Sequence, residues 1–557
     1  MPIKQTKRTN GQNSNTARAS STLRLSWDRS TGNFWVDTGL VVLLRQFNEG
    51  EHPIEEALSW LQRRLLQPSG NQGEYYDEQA GEIRPYDKVN WVYPTSLFIK
   101  VSGVARKIKT AQARDQLRRK LEEMERNGEG ETALQKLRAD LAYLENRLAK
   151  KSDDAIFLEP PRFELSLKLS KKPDVCDLCG ERAPLTEATM WMYPFVVDPQ
   201  KFGTFYPGTK RGLRLCARCA LAGLAGYLGW LWKAQGGDAL HFFIFHSDLQ
   251  EMGRLHREVL EPLRVVGERG GTVPVAFAGP YGNETTLGLL LALFQHVRQS
   301  DVLSEDARQL LATLLGATDQ PPPPITLYAI TGTPGQAFQM KALREFSKLQ
   351  RLFRLYEGWV ALLAEQGIDN PHRQLGSIFG QFWAQQGQNR ESIWRDRIAW
   401  AILEFGDPTP FIEQFLFDVR AREEERNRRP LVWGTIEVLN QYLQEVFQMD
   451  EQFQRTLAGF GHSLGKAAQE HNEMGLLYAL RNAKNPEDFY RVLNDAQFRL
   501  EVTIPEAILR IEKGERIAGA PWVRVKTLLA IYAMNAYLRK GGVTEESPSV
   551  SEATASG

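Results

Sequence analysis

Val175-Cys176-Asp177-Leu178-Cys179-Gly180 and Leu215-Cys216-Ala217-Arg218-Cys219 hold every thiol of this 557-residue chain. Within each stretch two residues separate the cysteines, which is the spacing of a metal knuckle. The gap lets both thiolates of a pair turn toward one ion about 2.3 Å away, and two such pairs complete the closed four-sulfur shell of structural zinc. Gly180, directly after Cys179, suits the tight turn of a knuckle. The 36 residues between the pairs exceed the roughly 15–20 of a zinc ribbon, so an inserted hairpin or loop is expected within an element spanning 170–225. Two disulfides are the competing reading. The first residues lack a charged-then-apolar signal segment and no cysteine is left over, which favours a reducing cytoplasm and a metal site. A shell filled by four thiolates has no open position for water, so the metal is expected to hold structure and not to catalyse hydrolysis.

The chain exceeds what one core supports, and about 150 residues per domain predicts three or four units, some fused. A hydrophobic content of 42% with 13 tryptophans can fill those cores. The formal net charge of +1 excludes a wholly basic nucleic-acid wrapper and moves attention to local patches. No stretch approaches roughly 18 uninterrupted apolar residues. The strongest, Leu221 to Trp232, is short and broken by glycine, which predicts a soluble protein with no membrane partner.

Residues 1–22 are polar and basic through Lys4, Lys7, Arg8 and Arg18. They predict a disordered arm, either a solubilising tail or a phosphate-contacting one. Thr31-Gly32-Asn33 marks a turn before the apolar run Phe34 to Leu44, a buried helix start or a strand. Gly70 and Gly73 suggest a loop, and Val89 to Val101 a strand broken by Pro94. Leu117, Leu121 and Met124, then Leu134, Leu137, Leu141, Leu144 and Leu148, predict a helical hairpin over 105–150 turning at Asn127 to Gly130. Arg106, Lys107, Lys109, Arg114, Arg118, Arg119 and Lys120 give its first arm either a solvated face or a nucleic-acid contact. Arg162 to Leu169 alternates as a strand, and Lys171 and Lys172 follow it. Between the knuckles, a loop rich in glycine and aromatic residues carries Lys210, Arg211 and Arg214. It can approach a phosphate chain closely or be an ordinary hairpin tip.

From His241 onward short apolar runs alternate with helical stretches. His241 to Phe245, Val273 to Ala278 and Ile325 to Ile330 are expected as strands, with Pro321 to Pro324 as a linker. Beyond Gly335 only helical periodicity continues to Tyr537, including helices at about 451–470, 473–483, 486–499 and 521–540. Residues 542–557 are expected as a disordered tail. The fold class is therefore α+β. A mixed body over 23–334 carries the four-cysteine element and the charged hairpin, and an all-α helical domain over 335–541 follows, with a bundle from about 449.

Catalytic motifs are absent from the sequence. Its histidines are dispersed, and His241 and His246 bracket an apolar strand as satisfied core or edge residues. Gly332-Thr333-Pro334-Gly335 lacks the Lys-Ser or Lys-Thr of a phosphate loop. Carboxylates brought together only by folding leave no local trace, so a metal-dependent nuclease remains an alternative.

Thr31-Gly32-Asn33-Phe34-Trp35-Val36-Asp37-Thr38-Gly39, the two cysteine stretches and the terminal helices occur in an order that resembles the large subunit of type I CRISPR effector complexes (Cascade), in its CxxC/CxxC zinc-containing branch. The resemblance spans nearly the whole chain, although the hairpin at 105–150 is longer than the family pattern. It implies a non-catalytic, cytoplasmic subunit of an RNA-guided surveillance complex. Such a subunit binds double-stranded DNA, recognises the motif flanking the target, supports duplex opening and recruits downstream proteins. Its implied partners are guide RNA, target DNA, the backbone and small subunits, and a nuclease-helicase or transposition factor. Base pairing then supplies most of the specificity and protein supplies a rigid groove reader. On that reading Cys176, Cys179, Cys216 and Cys219 hold zinc, and Lys171, Lys172, Lys210, Arg211 and Arg214 contact nucleic acid. Met449 opens a segment matching a small-subunit module that the family sometimes makes separately. A protein-recruiting scaffold without direct DNA contact is the further alternative.

Overall fold

The structure is a computed structural model that describes residues 22–98, 103–128, 130–150, 155–163, 165–189, 192, 212–235, 238–264, 271–299, 325–335, 338–387, 389–424 and 427–539. Residues 1–21 of the expected basic arm, the C-terminal tail, Lys210, Arg211 and the proline run lie outside these residues, while Thr22, the arm's expected last residue, already belongs to a strand. The chain is mixed α and β and divides into two compact units. One comprises Met1–Trp230 with Asp248–Gly253 and Pro334–Gln339, and the other comprises the remainder. A strand directly after Trp230 belongs to the second unit's own sheet.

In the first unit, strand β1 (Thr22–Leu25) pairs antiparallel with β2 (Gly50–Pro53) around helix α1 (Phe34–Phe47), and α2 (Ile54–Leu65) follows. The apolar run after Thr31 is thus helical. Asn33 caps α1, its side chain accepting the N–H groups of Trp35 and Val36. Strands β3 (Leu66–Asp77) and β4 (Glu82–Trp91) form a long hairpin with a register shift between Pro68 and Gln72. Gly70 and Gly73 therefore sit in a bulged strand and not in a loop. The expected strand from Val89 survives only to Trp91.

Strands β5 (Lys107–Lys109) and β6 (Ala155–Phe157) extend that sheet in the order β4-β3-β6-β5 and carry the expected helical hairpin between them, α3 (Thr110–Arg126) and α4 (Glu131–Ala149). Leu117, Leu137 and Leu144 of the hairpin share a core with Tyr76 and Ile156 of the sheet. Much of its charge is spent internally. Arg118 pairs with Glu145 and Arg138 with Glu125, while Lys120 donates to the Gly81 carbonyl and Lys107 lies over the Phe157 ring. Arg162 makes only an isolated bridge to Val104, and Leu165 to Ser170 form no strand. The Gln62 side chain instead accepts the Leu165 N–H, so the alternation marks an extended tether.

In the second unit β10 (Leu231–Gln235), β11 (Ala239–His246), β12 (Thr326–Thr333) and β13 (Gln339–Phe346) form one sheet in that order. Helix α6 (Gly282–Gln299) belongs to the same core. His241 is 1% exposed and has Thr331 Oγ1 at 3.0 Å and the Gly279 carbonyl at 2.9 Å. It is the satisfied core histidine that was expected, and burial lowers its pKa to about 4. Val273 to Ala278 is not a strand. It passes against α6 as irregular chain with bends at Val273 and Ala276, with Ala276 N–H donating to the Gly288 carbonyl, and a Cβ on Gly288 would lie 2.1 Å from the Phe277 carbonyl oxygen.

The helices that follow are α7 (Leu349–Glu365), α8 (Pro371–Gly380), α9 (Ile393–Leu403), α10 (Thr409–Asp418), α11 (Thr435–Phe447), α12 (Glu451–Glu470), α13 (Met474–Asn482), α14 (Pro486–Leu500) and α15 (Trp522–Tyr537). The last four lie within a few residues of the expected helices. The region from Gly335 is nevertheless not all-α, because β13, a hairpin at 384–391 and a small three-stranded sheet at 511–521 interrupt it. These strands are short or exposed, and strand β13 carries only one fully buried residue, Phe346. Among the described residues no helix is long and apolar enough to cross a membrane.

Candidate metal centre

Strands β7 (Pro173–Val175), β8 (Arg182–Glu187) and β9 (Arg214–Cys216) form a small antiparallel sheet whose ends present the cysteines. The first pair sits in the turn between β7 and β8. Gly180 N–H donates to the Cys176 carbonyl, Cys176 N–H to the Glu181 carbonyl, and Gly180 has φ +70°. That left-handed conformation is the reason for glycine after Cys179. The second pair joins β9 to helix α5 (Ala217–Gly229), so Cys219 lies in the first helical turn.

The four sulfur atoms lie within 4.8 Å of one another. The Cys179 and Cys216 sulfurs are 3.7 Å apart, close to the roughly 3.8 Å edge of a tetrahedron with 2.3 Å metal–sulfur bonds. All four cysteines are free thiols, and three are buried. The Cys216 N–H points at the Cys176 sulfur at 3.3 Å, as a thiolate would require. Interaction with Cys176 leads in drawing the Cys179 thiol down and in pushing Cys216 and Cys219 up. Four thiolates cannot ionise together at this spacing without a cation between them. The donor set therefore fits one tetrahedrally coordinated metal ion such as zinc.

Three charged residues, Asp174, Asp177 and Arg218, support this element. Asp177 Oδ2 accepts the Arg214 N–H at 2.6 Å, and Asp174 pairs with the Arg214 guanidinium. Arg214 was expected at a nucleic-acid surface, but it is committed to clamping β9 onto the first knuckle. Arg218 is 8% exposed and donates to the Arg29 carbonyl at 2.9 Å. Burial works against its charge, yet the Cys179 thiol and the neighbouring sulfurs hold its pKa up, so its positive charge offsets the thiolates. Lys171 and Lys172 are exposed at the bend before β7. Of the five expected contact residues, only these two lie unencumbered in the described structure.

The Thr31 to Gly39 stretch reaches the same place. Asp37 is fully buried and accepts the Thr31 N–H and hydroxyl, each at 2.7 Å, and the Gly32 N–H at 3.0 Å. Trp35 Nε1 donates to the carbonyls of Met192 and Gly223, the latter in α5. A Cβ on Gly39 would lie 1.7 Å from the Ala222 carbonyl oxygen, and one on Gly226 2.7 Å from the Trp35 ring. Helices α1 and α5 thus touch backbone to backbone, and the helix that starts at the second cysteine pair is locked to the N-terminal turn. Nothing in the local sequence pairs Trp35 with Gly223, so this contact was not foreseeable from spacing. No family model matches the chain, and no curated protein matches its sequence.

Proposed function

We propose that this protein is a non-catalytic large subunit of a type I CRISPR RNA-guided surveillance complex, with zinc as the structural metal of its cysteine cluster. The observation that carries the reading is the junction of the Thr31–Gly39 turn with the cysteine-bearing helix α5 through Trp35, Gly39 and Gly226. Two stretches that define the resemblance, far apart in sequence, belong to one packed structure. Four thiol donors at tetrahedral spacing support zinc, and a shell of four protein ligands would leave no site for catalytic water. In this reading the protein binds duplex DNA beside the target, recognises the flanking motif and supports duplex opening. Lys171 and Lys172 beside the zinc element contact phosphates, together with Lys210 and Arg211. The helices from Glu451 onward play the part of the small-subunit module, and the hairpin α3–α4 offers the recruitment surface for a downstream protein. The setting is the cytoplasm, with guide RNA and backbone subunits as partners.

The test is to purify the tagged chain from cells carrying its native gene neighbourhood and to sequence any RNA that accompanies it. Discrete short RNAs sharing a constant repeat-derived end are expected. A folded, zinc-loaded chain that brings neither RNA nor partner subunits would overturn the reading.

A further inference from the structure

In the second unit, the start of α6, strands β12 and β13 and the start of α9 line a cavity of about 400 Å³. That volume falls within the roughly 300–1,000 Å³ of small-molecule sites, and three kinds of chemistry border it. Lys341 and Arg344 line it from β13. Both are exposed, and neither has an ion-pair partner among the described residues.

Asp396 lines it from α9. Its Oδ1 accepts the backbone N–H groups of Asn283 and Glu284 at 2.9 and 3.1 Å, and its Oδ2 accepts the Asn283 side-chain amide at 3.0 Å. The N-terminus of α6 is therefore already answered by a protein carboxylate and offers no anion site of its own. A carboxylate has about four lone-pair positions, so Oδ2 keeps capacity for a further donor. Asn283 Oδ1 is a buried acceptor with no partner among the described residues. Tyr281 supplies the third chemistry. Its hydroxyl donates to Glu391 at 3.0 Å, which pins the ring in the cavity wall.

Two free cations call for an anion, two under-used acceptors call for hydroxyl or amino donors, and a fixed aromatic face calls for a flat ring. One class of molecule carries all three at suitable size. We propose that this cavity binds a ribonucleoside monophosphate unit. Its phosphate lies against Lys341 and Arg344, its ribose hydroxyls donate to Asp396 and Asn283, and its base stacks on Tyr281. The unit is either a free nucleotide or one nucleotide of an RNA strand. A deoxyribonucleotide lacks the 2′ donor and leaves an acceptor unmet. The site owes nothing to the cysteine cluster or to the effector-complex reading, and it stands if that reading fails.

The test is calorimetric titration of the full chain with the four ribonucleoside 5′-monophosphates, their 2′-deoxy counterparts, and short RNA and DNA oligonucleotides. Ribo forms are expected to bind several-fold tighter than deoxy forms. The double variant Lys341→Glu, Arg344→Glu is expected to lose at least about tenfold in affinity with an unchanged melting temperature, because both side chains are exposed. Tyr281→Leu is expected to weaken all ribo ligands. Saturable binding of the free monophosphates assigns the site to nucleotides, and binding of RNA alone assigns it to a strand. No binding of either up to millimolar concentration by a cooperatively melting chain overturns the proposal. Binding indifferent to the double charge reversal overturns it equally.

Discussion

Glu413 is 9% exposed in helix α10, with Arg481 at 3.7 Å and with Lys526 and Asp418 also close enough to act on it. Its Oε1 is buried without a hydrogen-bond partner among the described residues. Burial pushes its pKa from 4.5 up to about 7, against the pull of Lys526 and Arg481. A raised acid favours the folded state only while it keeps its proton. This contribution is therefore full below about pH 4.5 and is lost as pH rises toward 7, by roughly 3 kcal/mol at most. Glu413→Gln has no such proton to lose. It should gain stability relative to the native chain between pH 5 and 8, as read from denaturant midpoints at each pH; parallel pH profiles would contradict the assignment. For the cysteines, Cys219→Ser should take metal content from about one ion per chain toward zero and lower the first unit's melting transition, because binding energy at a structural site is folding energy. Full metal loading in that variant would refute the four-sulfur shell. Charge reversal of Lys171 and Lys172 should flatten the salt dependence of the proposed DNA binding by about one to two in log–log slope, as followed by anisotropy at several salt concentrations. The cysteines were legible because a knuckle is local in sequence. Asp37 and Arg218 were not, because their tasks depend on partners that only the fold supplies.

Two glycines of one helix set up the clearest contrast among the elements. In α12 a Cβ on Gly465 would lie 2.0 Å from the Ala533 carbonyl of α15, whereas one on Gly459 meets nothing within 4 Å. Gly459→Ala should therefore stabilise by up to about 1 kcal/mol through helix propensity. Gly465→Ala should destabilise by about 3 kcal/mol or more, since backbone cannot yield as a side chain does. Opposite shifts in melting temperature are the expected readout, and equal shifts would remove the close contact from the account. The four terminal helices were legible because their apolar faces repeat at the helical period, as Phe489, Val492, Leu493 and Ala496 show, all 9% exposed or less. Strand β13 escaped notice because its exposed residues lack the alternation that a buried face imposes. Conversely, Val273 to Ala278 has strand composition but spends its backbone against α6. The α3–α4 hairpin was legible as a helix pair, but its shared core with Tyr76 and Ile156 was not. Deleting 105–150 alone would strip that core and remove β5, so removing the proposed recruitment surface cleanly means taking β3, β4 and β6 as well.

Across the second unit one continuous core runs from Leu231 to Leu538. A product beginning at Met449 would keep α12 to α15 but lose several of their partners. Asn535 accepts the Leu431 N–H, Tyr532 pairs with Asn440, Arg481 is held bidentate by Asp418, and Arg524 bonds Asp407. A fragment starting at Met449 is therefore expected to show helical circular dichroism with a broad, low-temperature transition and to regain cooperativity when residues from about 400 are restored. A sharp melt of the shorter fragment would show it to be an independent module. In the first unit, Trp35 reaches Gly223 across 188 residues of chain. At about 5–20 residues per second, a ribosome needs roughly 10–40 s to make that span. Throughout that interval α1, with most of its residues destined for burial, has no α5 to cover it. The nascent chain must hold an apolar N-terminal helix in waiting until the second cysteine pair emerges, which makes supply of a holding chaperone, and not only of metal, a determinant of yield.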